Sequence, residues 1–371
     1  MSQWFTESFK AEFDRTSEQL GRFNLAIFGK TGVGKSTLIN AIFGEDVART
    51  GIGEPVTKGS HLYLDKRGRL GLIDTEGLEI GRDDKQLLSD LRKLIRTTRK
   101  MPLAEQIHVA WYCVRALDRR FEPSEAQFIK ELSRLGIPVL VVVTQVPRDD
   151  AGRFHPHAVE LAQHIGAQDL PIVGQPHLTN AVRDPFTGQS PHGLMELLRA
   201  TFRATPEAVH DALASAQTID PAAKRAAASR MVTAASTTAA GIAAVPIPFA
   251  DAAALVPIQL GMMARIAHIY DMPFDRAAML AVASTSAATM GGRSAVTGLI
   301  KLIPGAGSVT GGVIGAGVAS AITMGMGHAW IHVCDLVSQG RFRTAQGVLD
   351  NDAVRKAFTA EFQRRAPQIR K

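Results

Sequence analysis

Apolar positions in the first two hundred residues fall into two kinds of pattern. Some form short unbroken runs, as in Phe23–Phe28, 107–114 and Val139–Thr144, and these read as buried strands. Residues 61–65 and 70–74 flank Lys66-Arg67-Gly68, which predicts an antiparallel hairpin. Others recur at helical spacing. Trp4, Phe5, Phe9 and Phe13 predict an amphipathic helix over 1–21, ahead of the sheet. A helix around 122–135 is expected to stop at Gly136-Ile137-Pro138, residues 171–174 to form a short last strand, and 193–217 one long closing helix. Strands alternating with helices predict an α/β domain over 22–217, with a mainly parallel sheet covered on both faces.

Charge changes abruptly after that. Of 42 basic and 35 acidic residues, only eleven lie between Pro221 and Gly340, a stretch rich in Ala, Gly, Val and Met. The boundary falls near 218–221, where Asp220 can cap a helix that Pro221 opens. This predicts an apolar all-α domain over 218–340, then a basic helix or tail over 341–371. A chain that is 46% hydrophobic and 21% charged can bury a core, which excludes intrinsic disorder and fibrous repeats. The net charge of +7 is modest for 371 residues, so no nucleic acid is expected as a partner. Cys113 and Cys334 stand far apart, and no basic start with an apolar run follows Met1. Both points lead to the expectation of a cytoplasmic protein with reduced thiols.

The chemistry concentrates after the first strand. Gly29, Lys30, Thr31, Gly32, Val33, Gly34, Lys35 and Ser36 fit G-x-x-x-x-G-K-S/T at every fixed position, and Thr37 begins a helical pattern. Glycines let successive backbone N–H groups wrap an anion, and the helix N-terminus adds its positive dipole end. Lys35 can bridge β- and γ-phosphates, and the Ser36 hydroxyl can coordinate Mg²⁺. The alternative is a Gly-rich turn with a solvated lysine. Asp74-Thr75-Glu76-Gly77 ends a later strand, 39 residues after Lys35. There a carboxylate can hold a Mg²⁺ water and the Gly77 N–H can meet the γ-phosphate. Between them Thr57 offers a hydroxyl that could close over Mg²⁺, or is a plain loop residue.

This run, continued as Thr37-Leu-Ile-Asn-Ala-Ile-Phe-Gly-Glu, resembles Ras-like GTPases of the translation-factor class, in particular their Era-like and immunity-related branches. The resemblance covers roughly 22–215 and implies a Ras-like fold, GTP and GDP as ligands, Mg²⁺, and five guanine-nucleotide elements. The fourth should read N/T-K-x-D. Here Thr144 matches, Gln145 replaces Lys, and Pro147 replaces the Asp that accepts guanine N–H donors. Asp149 and Asp150 are the nearest carboxylates that could stand in. The fifth element corresponds to Asn180-Ala181. Leu78 follows Gly77 where many relatives place a water-positioning Gln, so slow hydrolysis is expected. Gly32 occupies the place of an Asn that holds activating K⁺ in some Era-like relatives, so K⁺ activation is not expected. Lys35, Thr57 and Gly77 are the expected catalytic set, with Ser36, Thr57 and Asp74 on the metal.

About 225–340 resembles the helical domain of unknown function numbered 697, which implies membrane association and no catalytic residues. Leu302 to Cys334 runs for 33 residues without Asp, Glu, Lys or Arg, and Gly307, Gly311, Gly315 and Ala319 recur every four. The segment 302–334 is therefore expected either to contact membrane lipid or to be deeply buried. Lipid contact over 231–340 would make the protein peripheral or integral at the inner face of the membrane. Self-association or a protein partner is the other partner expectation. His155, His157 and His164 are read as surface histidines rather than metal ligands. Arg92, Lys93, Arg96, Arg99 and Lys100 are read as a solvated basic stripe, with an acidic or lipid partner as the alternative.

Overall fold

A computed structural model describes residues 3–44, 62–65, 68–73, 84–184, 188–243, 251–285, 316–342 and 350–365. The chain divides into two units, 21–220 and the combination of 1–20 with 221–371.

In the first unit, β1 (Phe23–Phe28), β2 (Leu62–Leu64), β3 (Leu70–Ile73), β4 (Val109–Arg115), β5 (Val139–Thr144) and β6 (His177–Leu178) form one sheet. Its order is β2-β3-β1-β4-β5-β6, and only β2 runs antiparallel, as the hairpin partner of β3. All six residues of β1 are buried. Phe23, Leu25 and Ile27 pack with Leu38, Ile42, Leu197 and Leu213 on one face. Ala26 and Phe28 pack with Phe128, Ile129, Leu132, Leu161 and Ile165 on the other. The side-chain period of two thus feeds both layers at once. Helix α1 (Gln3–Gln19) precedes this unit in sequence, and α2 (Lys35–Phe43), α3 (Asp84–Thr98), α4 (Pro123–Arg134), α5 (Pro156–Gly166), α6 (Leu194–Ala204) and α7 (His210–Ala216) belong to it.

Two expectations need correction. The last strand is His177–Leu178, not 171–174, although the Val173 N–H still donates to the Val139 carbonyl. The expected closing helix over 193–217 is broken at Thr205-Pro206, because proline lacks the N–H that would continue the helix. The N-terminal helix belongs with the C-terminal helices rather than with the sheet. Its apolar stripe supplies the reason. Phe9 and Phe13 meet Phe274 at 6.2 and 5.5 Å between ring centroids, and the Phe13 carbonyl is 2.7 Å from His268 Nε2.

The second unit adds α8 (Pro221–Ala243), α9 (Asp251–Ile269), α10 (Phe274–Thr285), α11 (Ala316–Ser338) and α12 (Asn351–Arg365). Helix α11 carries a buried row at Ala319, Thr323 and Gly327, and its Trp330 Nε1 donates to the Met263 carbonyl at 2.9 Å. A Cβ at Gly327 would lie 2.5 Å from Val232 of α8, so the glycine permits the close approach of the two helices. Helix α12 occupies part of the expected basic helix or tail over 341–371. Val354, Phe358 and Phe362 are buried, while Arg364 and Arg365 pair with Glu361. Of the segment 302–334, residues 316–334 bury one side, including Ala319, Ile322, Met326, Trp330 and Cys334, while Met324 is exposed, and 302–315 fall outside the described residues. Among the described residues no helix is long and apolar enough to cross a membrane.

Candidate functional site

The loop between β1 and α2 leaves the carboxyl end of the central strand, where β3 and β4 flank β1 on opposite sides. Ligands of open parallel sheets bind at such a switch point. Gly29, Gly32 and Gly34 have φ of 135°, 78° and 92°, values that side-chain-bearing residues rarely adopt. A Cβ at Gly29 would also collide with the Cys113 carbonyl oxygen of β4. Burial of Cys113 under this loop pushes its thiol up to about 12, so it stays protonated.

Of the loop's two lysines, Lys35 spans the loop. Its Nζ donates to the carbonyls of Gly29 at 2.8 Å and Lys30 at 3.0 Å. Lys30 turns instead to Glu122 at 2.7 Å, a hydrogen bond that raises the lysine's pKa. Thr31, Gly32, Ser36 and Thr37 are exposed, whereas Val33 is buried. The Val33 carbonyl accepts from Thr144 Oγ1 at 2.6 Å, and the Gly32 carbonyl from Gln145 Nε2 at 3.0 Å. The end of β5 therefore holds the loop in place. Gln145 does so from the left-handed region at φ 54°.

Beside the loop lies a cavity of about 400 Å³, lined by Gly34, Thr37, Thr144, Gln145, Asn180 and Ala181 among others. It brings together residues that sequence reasoning placed in three separate elements. Leu117, Pro147, Val182 and Asp184 also line it. Sequence reasoning missed Leu117, Val182 and Asp184, which sit in no motif. Leu117 and Val182 are 62% and 49% exposed and give the cavity an apolar wall. A second cavity of about 690 Å³ runs along the basic stripe of α3, distant in chemistry from the glycine loop. There Arg92 pairs with Glu131 at 2.6 Å.

Neither carboxylate proposed to stand in at Pro147 lines the nucleotide-side cavity. Asp149 accepts from the backbone N–H of Ala151 and of Arg153, and pairs with the Arg153 guanidinium at 2.8 Å. Those bonds hold its carboxyl below the usual range and close a local turn. Asp150 is 3.4 Å from Gln189. Thr57, Asp74 and Gly77 fall outside the described residues. Of the three residues expected to hold Mg²⁺, Ser36 is the one described, and it presents an exposed hydroxyl on the first turn of α2, next to Lys35. No group of three His, Cys, Asp or Glu able to hold a metal occurs among the described residues, and His157 instead contacts Glu160.

Comparison with known proteins agrees with this geometry. Residues 24–145 match the family described as 50S ribosome-binding GTPase, and 210–357 match the Domain of unknown function (DUF697). The GTPase Der of Synechococcus sp. is 28% identical over 193 residues, covering 51% of this chain and 36% of Der. Cell division control protein 10 of Candida albicans is 26% identical over 160 residues, covering 36% of this chain and 45% of that protein. The chain thus spans less than half the length of either relative. A crystal structure of Aquifex aeolicus Era aligns with 19% identity and a TM-score of 0.34, covering 59% of this chain and 68% of that one. The match of residues 24–145 to that family supports guanine-nucleotide binding. The chain carries a GTPase domain followed by a helical domain of the DUF697 family.

Proposed function

We propose that this chain is a Mg²⁺-dependent GTP-hydrolysing switch whose nucleotide state governs its helical unit. The observation that carries the reading is the glycine loop at β1, with Lys35 held across it by two of the loop's own carbonyls. Exchanging those carbonyls for phosphate oxygens needs little rearrangement of the lysine. The loop's N–H groups and the start of α2 hold the phosphates, and Lys35 neutralises β/γ charge. Ser36, Thr57 and Asp74 would hold Mg²⁺, which supplies further neutralisation of the phosphate oxygens when bound. The Gly77 N–H senses the γ-phosphate. Thr144 and Gln145 keep the loop in register from β5. Asn180 and Ala181 bound the base cavity.

The products are GDP and inorganic phosphate, and the reaction is slow because Leu78 cannot orient a water. That residue also favours a second reading, a nucleotide-gated scaffold that binds but barely hydrolyses. The helical unit is the element that would engage anionic lipid or a protein partner, with Ile242 and Met324 exposed on α8 and α11. Single-turnover GTP hydrolysis, with and without anionic vesicles, separates the readings. A measurable rate that vesicles or self-association raises supports the switch. Stoichiometric binding with no phosphate released under either condition would leave the scaffold.

A further inference from the structure

Helix α3 turns an apolar side inward, where Ile95 is buried in the core beside the sheet and Leu94 packs against the same cluster. On its other side, and on the turn that follows, Arg92, Lys93, Arg96, Arg99 and Lys100 are all exposed. Two of the five are committed to α4 and its end. Arg92 pairs with Glu131 at 2.6 Å, and the Arg99 guanidinium donates to the Leu135 carbonyl. Lys93, Arg96 and Lys100 have no carboxylate partner among the described residues. A cavity of about 690 Å³ runs along these three, and no acidic residue is among the described ones that line it. We propose that this face docks on the anionic phospholipid surface of a membrane.

Charge complementarity supplies the first reason. Arg92 and Arg96 stand four residues apart, and Lys93 and Arg96 three, spacings at which like charges on a helix repel. No described carboxylate offsets that repulsion at Lys93 or Arg96, and a negatively charged surface relieves it. From Lys93 to Lys100 the row runs about 10 Å at helical rise, so it meets several headgroups rather than one. Clusters of about four to eight Lys and Arg on an amphipathic helix are a general signature of anionic-lipid binding.

What the face lacks supplies the second. The core of a protein interface is depleted of charge and enriched in aromatic side chains. Among the described residues from 89 to 100, every exposed one is polar or basic, and none is aromatic or aliphatic. Single-stranded nucleic acid stacks its bases on aromatic side chains, which are missing for the same reason. A layer of charged headgroups asks only for cations free to meet it. The face lies wholly within the sheet unit, apart from Ile242 and Met324 of the helical one.

The test is flotation of the full chain on vesicles of phosphatidylcholine, alone or mixed with phosphatidylserine, at low and at high salt. The wild-type chain should float with the mixed vesicles at low salt, and neither with neutral ones nor at high salt. Lys93→Gln, Arg96→Gln and Lys100→Gln should each weaken binding about fivefold, and the triple variant by on the order of a hundredfold. Because it removes like charges, the triple variant should unfold at the wild-type midpoint or above it. Arg355→Gln combined with Lys356→Gln, on α12, should leave flotation unchanged. A triple variant that floats like the wild type, or a loss confined to the α12 variant, overturns the assignment. So does a wild-type chain that ignores the mixed vesicles, or that is held by polyglutamate or duplex RNA in their place. Nucleotide titration reads the switch separately, so either reading can fail while the other stands.

Discussion

Single residues explain why the glycine loop was legible and the base cavity was not. Gly29, Gly32, Gly34 and Lys35 sit at fixed spacing because one backbone conformation demands them, so the sequence alone locates the loop. Leu117 follows β4, whereas Val182 and Asp184 share the loop after β6; these segments meet only once the sheet is assembled, and nothing in their spacing marks them. Asp149 was visible as a candidate, but only coordinates show its carboxylate spent on Ala151 and Arg153. The same scale yields a pH prediction from His108. Its Nδ1 accepts the Asn24 N–H at 2.9 Å, and its Nε2 faces the Leu103 carbonyl at 2.9 Å. Burial, aided by Arg22, holds its pKa below the ordinary 6.5. A proton on Nδ1 would oppose the Asn24 N–H. Below 6.5 the unfolded chain takes up a proton that the folded chain refuses, so stability is lost as pH falls through that window. His177 and His192 are displaced in the same direction by burial. Urea midpoints of the full chain should fall from about pH 7.5 to about pH 5.5, and fall less in His108→Gln. Equal pH slopes in the two proteins would remove His108 from the account.

Elements differ in how far their neighbours decide them. β1 and β5 are uninterrupted apolar runs, and their observed bounds equal the sequence reading. β6 is two residues long, too short for periodicity to find. The break between α6 and α7 had a local signal in Pro206, overridden in the sequence reading by the apolar spacing on either side. In the helical unit, small residues set the packing. Gly327 faces Val232 and Met262, with a Cβ position 2.5 to 2.9 Å from their side chains, whereas Gly241 of α8 has open space around it. Ala favours a helix over Gly by about 1 kcal/mol, and overpacking a core costs about 1–3 kcal/mol. Gly327→Ala should therefore lower the stability of the helical unit and Gly241→Ala should raise it slightly. Thermal unfolding of the two variants checks this, and a stabilised Gly327→Ala protein would mean that α8 and α11 are not packed as described.

At the scale of the whole molecule, charge density along the chain divided an α/β unit from an apolar helical one, and the contacts draw their line at 220–221. The assignment of the N-terminal helix was out of reach of the sequence. Phe9 and Phe13 announce that one face is buried, but not that its partner lies some 260 residues downstream at His268 and Phe274. That arrangement makes the helical unit depend on both ends of the chain. The uncharged run over 302–334 left lipid contact and burial as alternatives, and within it Trp330 and Cys334 are buried. The central claim is that Mg²⁺-nucleotide binds through the glycine loop. Isothermal titration of the full-length chain and Lys35→Ala with GTP, GDP and ATP in Mg²⁺ buffer tests it most directly. The account predicts binding of GTP and GDP by the wild-type chain, weaker binding of ATP, and loss of all three in a folded Lys35→Ala protein. GTP affinity unchanged by Lys35→Ala would contradict it.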